Sequence, residues 1–252
     1  MDNAMLNAVL EIAQRMIEVG AEISRVEDSV TRLCTAYCAQ RVDVYATTAN
    51  IIVTVRTPSD EIITQTRRLK KAGTDIQKLH ELNDLVREIT RTKPDVPYIE
   101  ERLSRIDAGA QFSGWVSVLF YGVIAGAFCL FFGGRDWREI MVSVVIGFIV
   151  GGVEKGLGHI KANKLLDRYS GSLVACGLAY VALRLGVISS VDNVIIGNIM
   201  TLIPGIGLTT SLRDLFVGDI ISGALRSIEA VLLALAIALG YITANLLLGG
   251  AL

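Results

Sequence analysis

Arg213, Asp214, Asp219, Arg226 and Glu229 fall within the 25 residues that follow Pro204, in a part of the chain that is otherwise strongly apolar. Guanidinium groups in such a place attract carboxylates. Carboxylates there hold guanidinium groups or carry protons. Just ahead of them, the stretch IPGIGLTTSLRDL (Ile203–Leu215) interrupts what would be a continuous apolar helix. Pro204 removes a helical hydrogen bond and clashes with the preceding turn, and Gly205 and Gly207 ease unwinding. Amides and carbonyls freed in hydrocarbon are costly unless protein groups or a wet cavity satisfy them. An interrupted helix at mid-membrane is a common way to build a small-ligand site. Thr209 and Thr210 suit the cap of a restarted helix, whose first amides and positive dipole then face an anion. The plainer alternative is a packing kink beside an interfacial charge cluster, with Arg226 and Glu229, three apart, paired to each other.

These residues need a membrane around them, and the second half of the chain supplies it. Apolar runs of spanning length are expected at about 113–132, 140–153, 170–188, 194–210 and 230–248, since roughly 20 residues cross ~30 Å of hydrocarbon. Ten residues separate Val194 from Pro204, or about 15 Å of helix, which puts the interruption near the midplane. Lys155, Lys161, Lys164 and Arg168 follow the second span and Arg213 follows the fourth, whereas VISSVDN after the third has no basic residue. Basic residues in alternate loops place the N-terminus inside and the C-terminus outside. Gly122/Gly126 and Gly147/Gly151 are spaced four apart, as close helix packing in lipid requires.

The first 110 residues read differently. They hold 15 of the 24 Lys and Arg and 17 of the 25 Asp and Glu, leaving 9 and 8 for the remaining 142. Met5, Leu6, Val9, Leu10, Ala13, Met16 and Ile17 follow helical spacing, and Ser24 with Glu27 reads as a capping box before a second helix. VDVYA, NIIVTVRT and EIITQTRRL alternate as strands. Thr74 or Asp75 opens a helix that Pro94 and Pro97 close off, and a last short helix covers Tyr98–Ala110. The expected fold class is an α-helical membrane protein: a five-helix transmembrane bundle (111–252) preceded by a small cytoplasmic α/β domain (1–110).

Composition limits the alternatives. A formal charge of −1 gives no general attraction to nucleic acid. The opening MDNAMLNAVLEIAQR lacks the basic start and unbroken apolar core of a secretion signal. Cys34, Cys38, Cys129 and Cys176 make no disulfide framework, and His80 and His159 stand far from Cys34 and Cys38. With no phosphate loop, metal motif or nucleophile elbow, no catalytic residue, metal or cofactor is expected. A membrane-anchored cytoplasmic sensor is an alternative of another class, but an anchor needs no charged, proline-broken span.

GNIMTLIPGIGLTTSLRDLFVGDIISGALRSIE, Gly197–Glu229, resembles the membrane signature of the threonine/serine exporter family: a small-residue span, Pro-Gly, Arg-Asp, Gly-Asp, then a small stretch ending in arginine. GAEISRVEDSVTRL (Gly20–Leu33) and the Thr-rich strands ending at Thr66–Arg68 are similar to the family's N-terminal half. The resemblance implies export of small polar metabolites across the inner membrane, driven by the proton motive force. It implies that this is the longer subunit of the split version, partnered by a small separate membrane subunit of four or five spans. The resemblance does not identify the substrate: threonine or serine is expected, with a dicarboxylate such as succinate as the alternative. On that reading Asn198, Pro204, Gly205, Gly207, Thr209, Thr210, Arg213 and Arg226 line the substrate pathway. Asp214, Asp219 and Glu229 serve proton coupling or act as charge partners.

Overall fold

In the computed structural model, which describes residues 1–69, 73–109, 114–160 and 163–249, the chain is mostly helical. Ser113 and Lys161, used above to place the first span and a basic loop, lie outside the described residues, as does the expected boundary at 110 and 111. The chain divides into two compact units: Met1–Ala110 with Thr209–Ser227, and Gln111–Leu208 with Ile228–Leu252.

In the first unit, Asp2 starts α1 (Asn3–Glu18) by accepting a hydrogen bond from the Met5 amide at 2.8 Å. The seven apolar positions at helical spacing in α1 are all buried. The next helix, α2 (Ile23–Ala36), starts two residues earlier than a Ser24 cap would allow, because the chain turns at Gly20 with φ +95°. A side chain at Gly20 would put its Cβ 2.9 Å from the Gly73 carbonyl oxygen. Glu27 is thereby released from capping, and its carboxylate accepts from the Ala46 amide at 2.8 Å. The expected capping box is therefore corrected: Glu27 fastens the sheet to α2.

Strands β1 (Arg41–Ala46), β2 (Asn50–Arg56) and β3 (Ile62–Arg68) form an antiparallel sheet in that order. Ile51, Val53 and Val55 alternate onto its buried face, as period-2 patterning requires. Asp75 caps α3 (Ile76–Thr92), which ends at Lys93 in the left-handed region just before Pro94. Pro97 lies in the first turn of α4 (Val96–Asp107), where a missing amide costs nothing, so it begins a helix as well as ending one.

The second unit holds α5 (Gly114–Phe131), α6 (Trp137–His159), α7 (Lys164–Arg184), α8 (Asp192–Leu202), the first turn of α9 (Gly205–Val217) and most of α10 (Ile220–Ala244). The two glycine pairs do pack α5 on α6. A Cβ at Gly122 would lie 2.4 Å from the Phe148 ring and 2.8 Å from the Val144 carbonyl oxygen, and one at Gly147 would lie 2.8 Å from the Gly122 Cα. Gly197 brings α8 equally close, with the Ala125 carbonyl 2.7 Å from where its Cβ would be.

Among the described residues, three helices are long and apolar enough to cross a membrane: α5, α6, and the helix from Ile220 to Gly249. The pair α8–α9 adds a fourth if it counts as one broken span. Length and composition thus give three or four spans where the sequence led us to expect five. The difference is α7, which carries Lys164, Asp167 and Arg168 in its first turns and Arg184 at its end.

Candidate functional site

The interruption lies where proline chemistry puts it. Ile203, immediately before Pro204, is extended (φ −66°, ψ 129°), α8 stops at Leu202, and α9 restarts at Gly205. Proline disfavours helical backbone in the residue before it, and the two helices meet at 55°. Gly205 has open space where a Cβ would sit, and Gly207 has only the Pro204 ring at 3.9 Å. Neither glycine is there for close packing. Both contribute low helix propensity at the break.

One turn before the break, Asn198 is 1% exposed. Its side-chain amide donates to the Val194 carbonyl at 2.9 Å and to Ser143 Oγ at 3.0 Å, and that hydroxyl donates to the Ala125 carbonyl at 3.0 Å. The Asn198 Oδ1 is buried without a hydrogen-bond partner among the described residues. A buried acceptor left unmatched costs about 1–3 kcal/mol, which makes Oδ1 ready for any donor that reaches it. Thr201 caps the end of α8 by donating to the Asn198 carbonyl at 2.6 Å.

The charged residues divide between the units. In the first, Arg213 pairs with Glu22 at 2.7 Å, and Arg226 pairs with Asp214 at 3.2 Å while donating to the Ala21 carbonyl at 2.9 Å. The Arg226–Asp214 contact is an ion pair without hydrogen-bond alignment, and the Asp214 Oδ2 is buried. Asp219 follows at the α9–α10 junction, its amide donating to the Asp214 carbonyl at 2.9 Å. Glu229 belongs to the second unit and pairs with Lys164 at 2.8 Å. The Arg226–Glu229 pairing considered from spacing is not formed. Thr209 and Thr210 lie inside α9, past its start at Gly205, and so are not at its cap.

Sequence reasoning missed a third polar cluster. Tyr121 on α5 and Arg168 on α7 both donate to the carboxylate of Glu154 on α6. In sequence Arg168 groups with the basic residues that follow the second span, and Glu154 lies just past that span's expected end at 153, but α6 continues to His159 and α7 begins at Lys164, so both are helical. The stretch GGVEKGLG (151–158), with four glycines and two charges, carries little helical signal in the sequence. Among the described residues no His, Cys, Asp or Glu side chains gather as metal ligands would.

Several apolar helices, with a bent pair that meets at a proline one turn past a buried asparagine, fit a multi-pass membrane protein. The comparison with known families gives the class a name. The model of the family described as "Putative threonine/serine exporter" matches residues 7–248, and the chain belongs to that family. Over 247 residues it is 26% identical to the "Probable succinate transporter subunit YjjP" of Klebsiella aerogenes, a match covering 98% of this chain and 95% of that one. The protein of the same description from Escherichia coli K12 is 22% identical over 230 residues, 91% of this chain and 89% of its own. No solved structure matches. The family and both relatives are described as transporters, and the apolar helices fit a multi-pass inner-membrane protein.

Proposed function

We propose that this chain is one subunit of an inner-membrane secondary transporter that exports small polar metabolites bearing a carboxylate, driven by the proton motive force. The observation that carries this reading is the interruption at Ile203–Pro204, bent by 55°, beside the buried and half-satisfied Asn198. A helix that only anchors has no use for such a break. Threonine or serine is the substrate the family description supports, and succinate is the second reading, favoured by the descriptions of both relatives.

On this reading Asn198, Pro204, Gly205, Gly207, Thr209 and Thr210 mark the substrate path. Arg213 and Arg226 take the substrate carboxylate in exchange for Glu22 and Asp214. Asp214, Asp219 and Glu229 act as their charge partners or as those of neighbouring lysines. With α7 as a fifth crossing, the N-terminus is cytoplasmic and the C-terminus outside. Both relatives are described as subunits, which supports a partner subunit; on this reading it is a separate, short membrane chain of four or five spans. Reconstitution into proteoliposomes, with and without a co-purified partner, tests the proposal using labelled threonine, serine and succinate. Movement of none of the three above empty vesicles rejects it.

A further inference from the structure

Ser143 on α6 and Asn198 on α8 are buried, 0% and 1% exposed, and their hydrogen bonds run in one direction only. The serine hydroxyl has a single proton, which goes to the Ala125 carbonyl of α5 at 3.0 Å. Towards Asn198 the same hydroxyl is therefore an acceptor, and it takes the side-chain N–H at 3.0 Å. The Asn198 nitrogen also faces two carbonyls, Val194 at 2.9 Å and Ser143 at 3.4 Å. Turning the amide over would set its oxygen against both carbonyls, so the network fixes which atom is which. Both N–H groups are committed. What is left is an acceptor, Oδ1, buried without a partner among the described residues.

A second acceptor lies on the same side of α6. Glu139 precedes Ser143 by four residues, one turn or about 6 Å, and is 6% exposed. It belongs to the first turn of α6, whose amide ends offset part of its charge. Its side chain is nonetheless turned to α8, where the Asn193 amide donates at 3.4 Å. Arg135 and Arg138 are close in sequence but exposed, and Arg138 lies over the Trp137 ring, 5.8 Å from its centroid. Among the described residues no base forms an ion pair with Glu139. The other end of α6, at His159, is 20 residues further on, so bases past that end are separated from Glu139 by about 30 Å of helix.

Where α8 meets α6, the polar atoms left to a ligand are thus acceptors. A carboxylate brings no proton to them and sets a like charge beside Glu139. An ammonium group brings three N–H donors and a positive charge. We propose that the α6–α8 face binds the ammonium group of an α-amino-acid substrate, with Asn198 Oδ1 as its direct acceptor and Glu139 as the negative charge one turn away. Ser143 is the positioning residue that holds the Asn198 amide with its oxygen available. The assignment rests on the transport reading above, and within that reading it selects the hydroxy-amino acids over the dicarboxylate.

The test compares threonine with 3-hydroxybutyrate, the same molecule without its ammonium group. Full chains are reconstituted with whatever membrane subunit co-purifies, and labelled threonine, serine and succinate are followed. Wild type should carry threonine or serine, and unlabelled 3-hydroxybutyrate should compete about tenfold or more weakly than unlabelled threonine. Glu139→Gln and Ser143→Ala should each reduce that preference, and Ser143→Thr, which keeps the hydroxyl, should restore it. Variants that weaken both competitors alike would show a merely structural role and overturn the proposal. Transport of succinate without threonine or serine also overturns it, while leaving the transport reading standing. If the variants do not fold, the wild-type ranking decides: equal competition by threonine and 3-hydroxybutyrate overturns the proposal. If wild type moves none of the three probes, the transport reading fails, and melting temperature in detergent judges the site instead. Stabilisation by threonine and not by 3-hydroxybutyrate supports it, and equal shifts or none overturn it.

Discussion

Arg226 and Ala21 are 205 residues apart in the chain, yet the guanidinium donates to the Ala21 carbonyl at 2.9 Å, while its other nitrogen lies 3.2 Å from Asp214. The carbonyl is presented by the turn at Gly20, which is held in place when the Gly73 and Asp75 amides donate to Glu18 and Val19 at the end of α1. Glu22, on the same turn, takes Arg213. The first unit therefore owes part of its packing to residues far down the chain, and those residues are the ones whose charges first suggested transport.

Arg226→Ala should accordingly cost stability as well as export. It leaves Asp214, 2% exposed, without its ion partner, and breaking such a pair on one side typically costs about 3–5 kcal/mol. Asp214→Asn on the same background should recover much of the loss, because the orphaned charge is gone. Thermal unfolding in detergent measures both. An Arg226→Ala variant that melts like wild type would show that the contact contributes nothing.

Pro204→Ala combined with Gly205→Ala should straighten the break. Open space surrounds the Gly205 position, so the new methyl meets no obstacle. Alanine replaces the two poorest helix formers, with propensity gains of about 3 and 1 kcal/mol in a helix interior. The variant should unfold at higher temperature and export nothing. Normal export would mean that the interruption serves packing alone.

The glycines of α5 and α6 allow a sharper contrast. Gly122→Ala should lower the melting temperature and cost about 1–3 kcal/mol of overpacking, because its Cβ would meet the Val144 backbone carbonyl as well as the Phe148 ring. Gly152→Ala, on α6 next to the packed Gly151 but with nothing within 4 Å of its Cβ, should be neutral or stabilising by up to ~1 kcal/mol. Equal melting temperatures for the two variants would refute the close-packing account.

Much of this architecture was legible from periodicity. The buried stripe of α1, the alternation of Ile51, Val53 and Val55, and the stop at Pro204 each follow from a single local rule. What sequence alone did not reveal was long-range. Ser24 and Glu27 satisfy the spacing of a capping box, but the turn at Gly20 moves the helix start, and Glu27 is taken by Ala46 from a neighbouring strand. Glu154 and Arg168 looked like loop charges because polar residues near Gly156 and Gly158 weaken the apolar signal, whereas each one's counter-charge lies on another helix. Pairings of that kind have no periodicity to read.

Glu27 also gives the first unit a pH dependence of known sign. Burial, opposed by its bond to the Ala46 amide and reinforced by the negative charge of Asp219, raises its carboxyl above the usual carboxylate range. A carboxyl raised on folding contributes stability that is fully present below its unfolded value and lost as pH rises through the folded one. The wild-type melting temperature should therefore gain on that of Glu27→Gln as pH falls through the carboxylate range. Parallel curves for the two proteins would show that Glu27 titrates as it does in the unfolded chain.

The fifth crossing is tested through α7. Its 21 residues correspond to about 31 Å of helix, enough for ~30 Å of hydrocarbon. The charges that weaken its apolar character are placed where a spanning helix tolerates them. Arg168 lies in the second turn and pairs with Glu154; Arg184 is the last residue and donates to the Leu248 carbonyl. Terminal arginines can extend to the interface, and paired charges near a helix end cost less than isolated ones at its centre. If α7 crosses, Asn163 before it and Ser189 after it face opposite sides. Single cysteines at these two positions, introduced in a chain whose native cysteines are replaced, should then react with an impermeant maleimide from opposite faces of the membrane. Labelling of both from the same face would make α7 a surface helix. It would reduce the crossings to four and bring the C-terminus back to the side of the N-terminus.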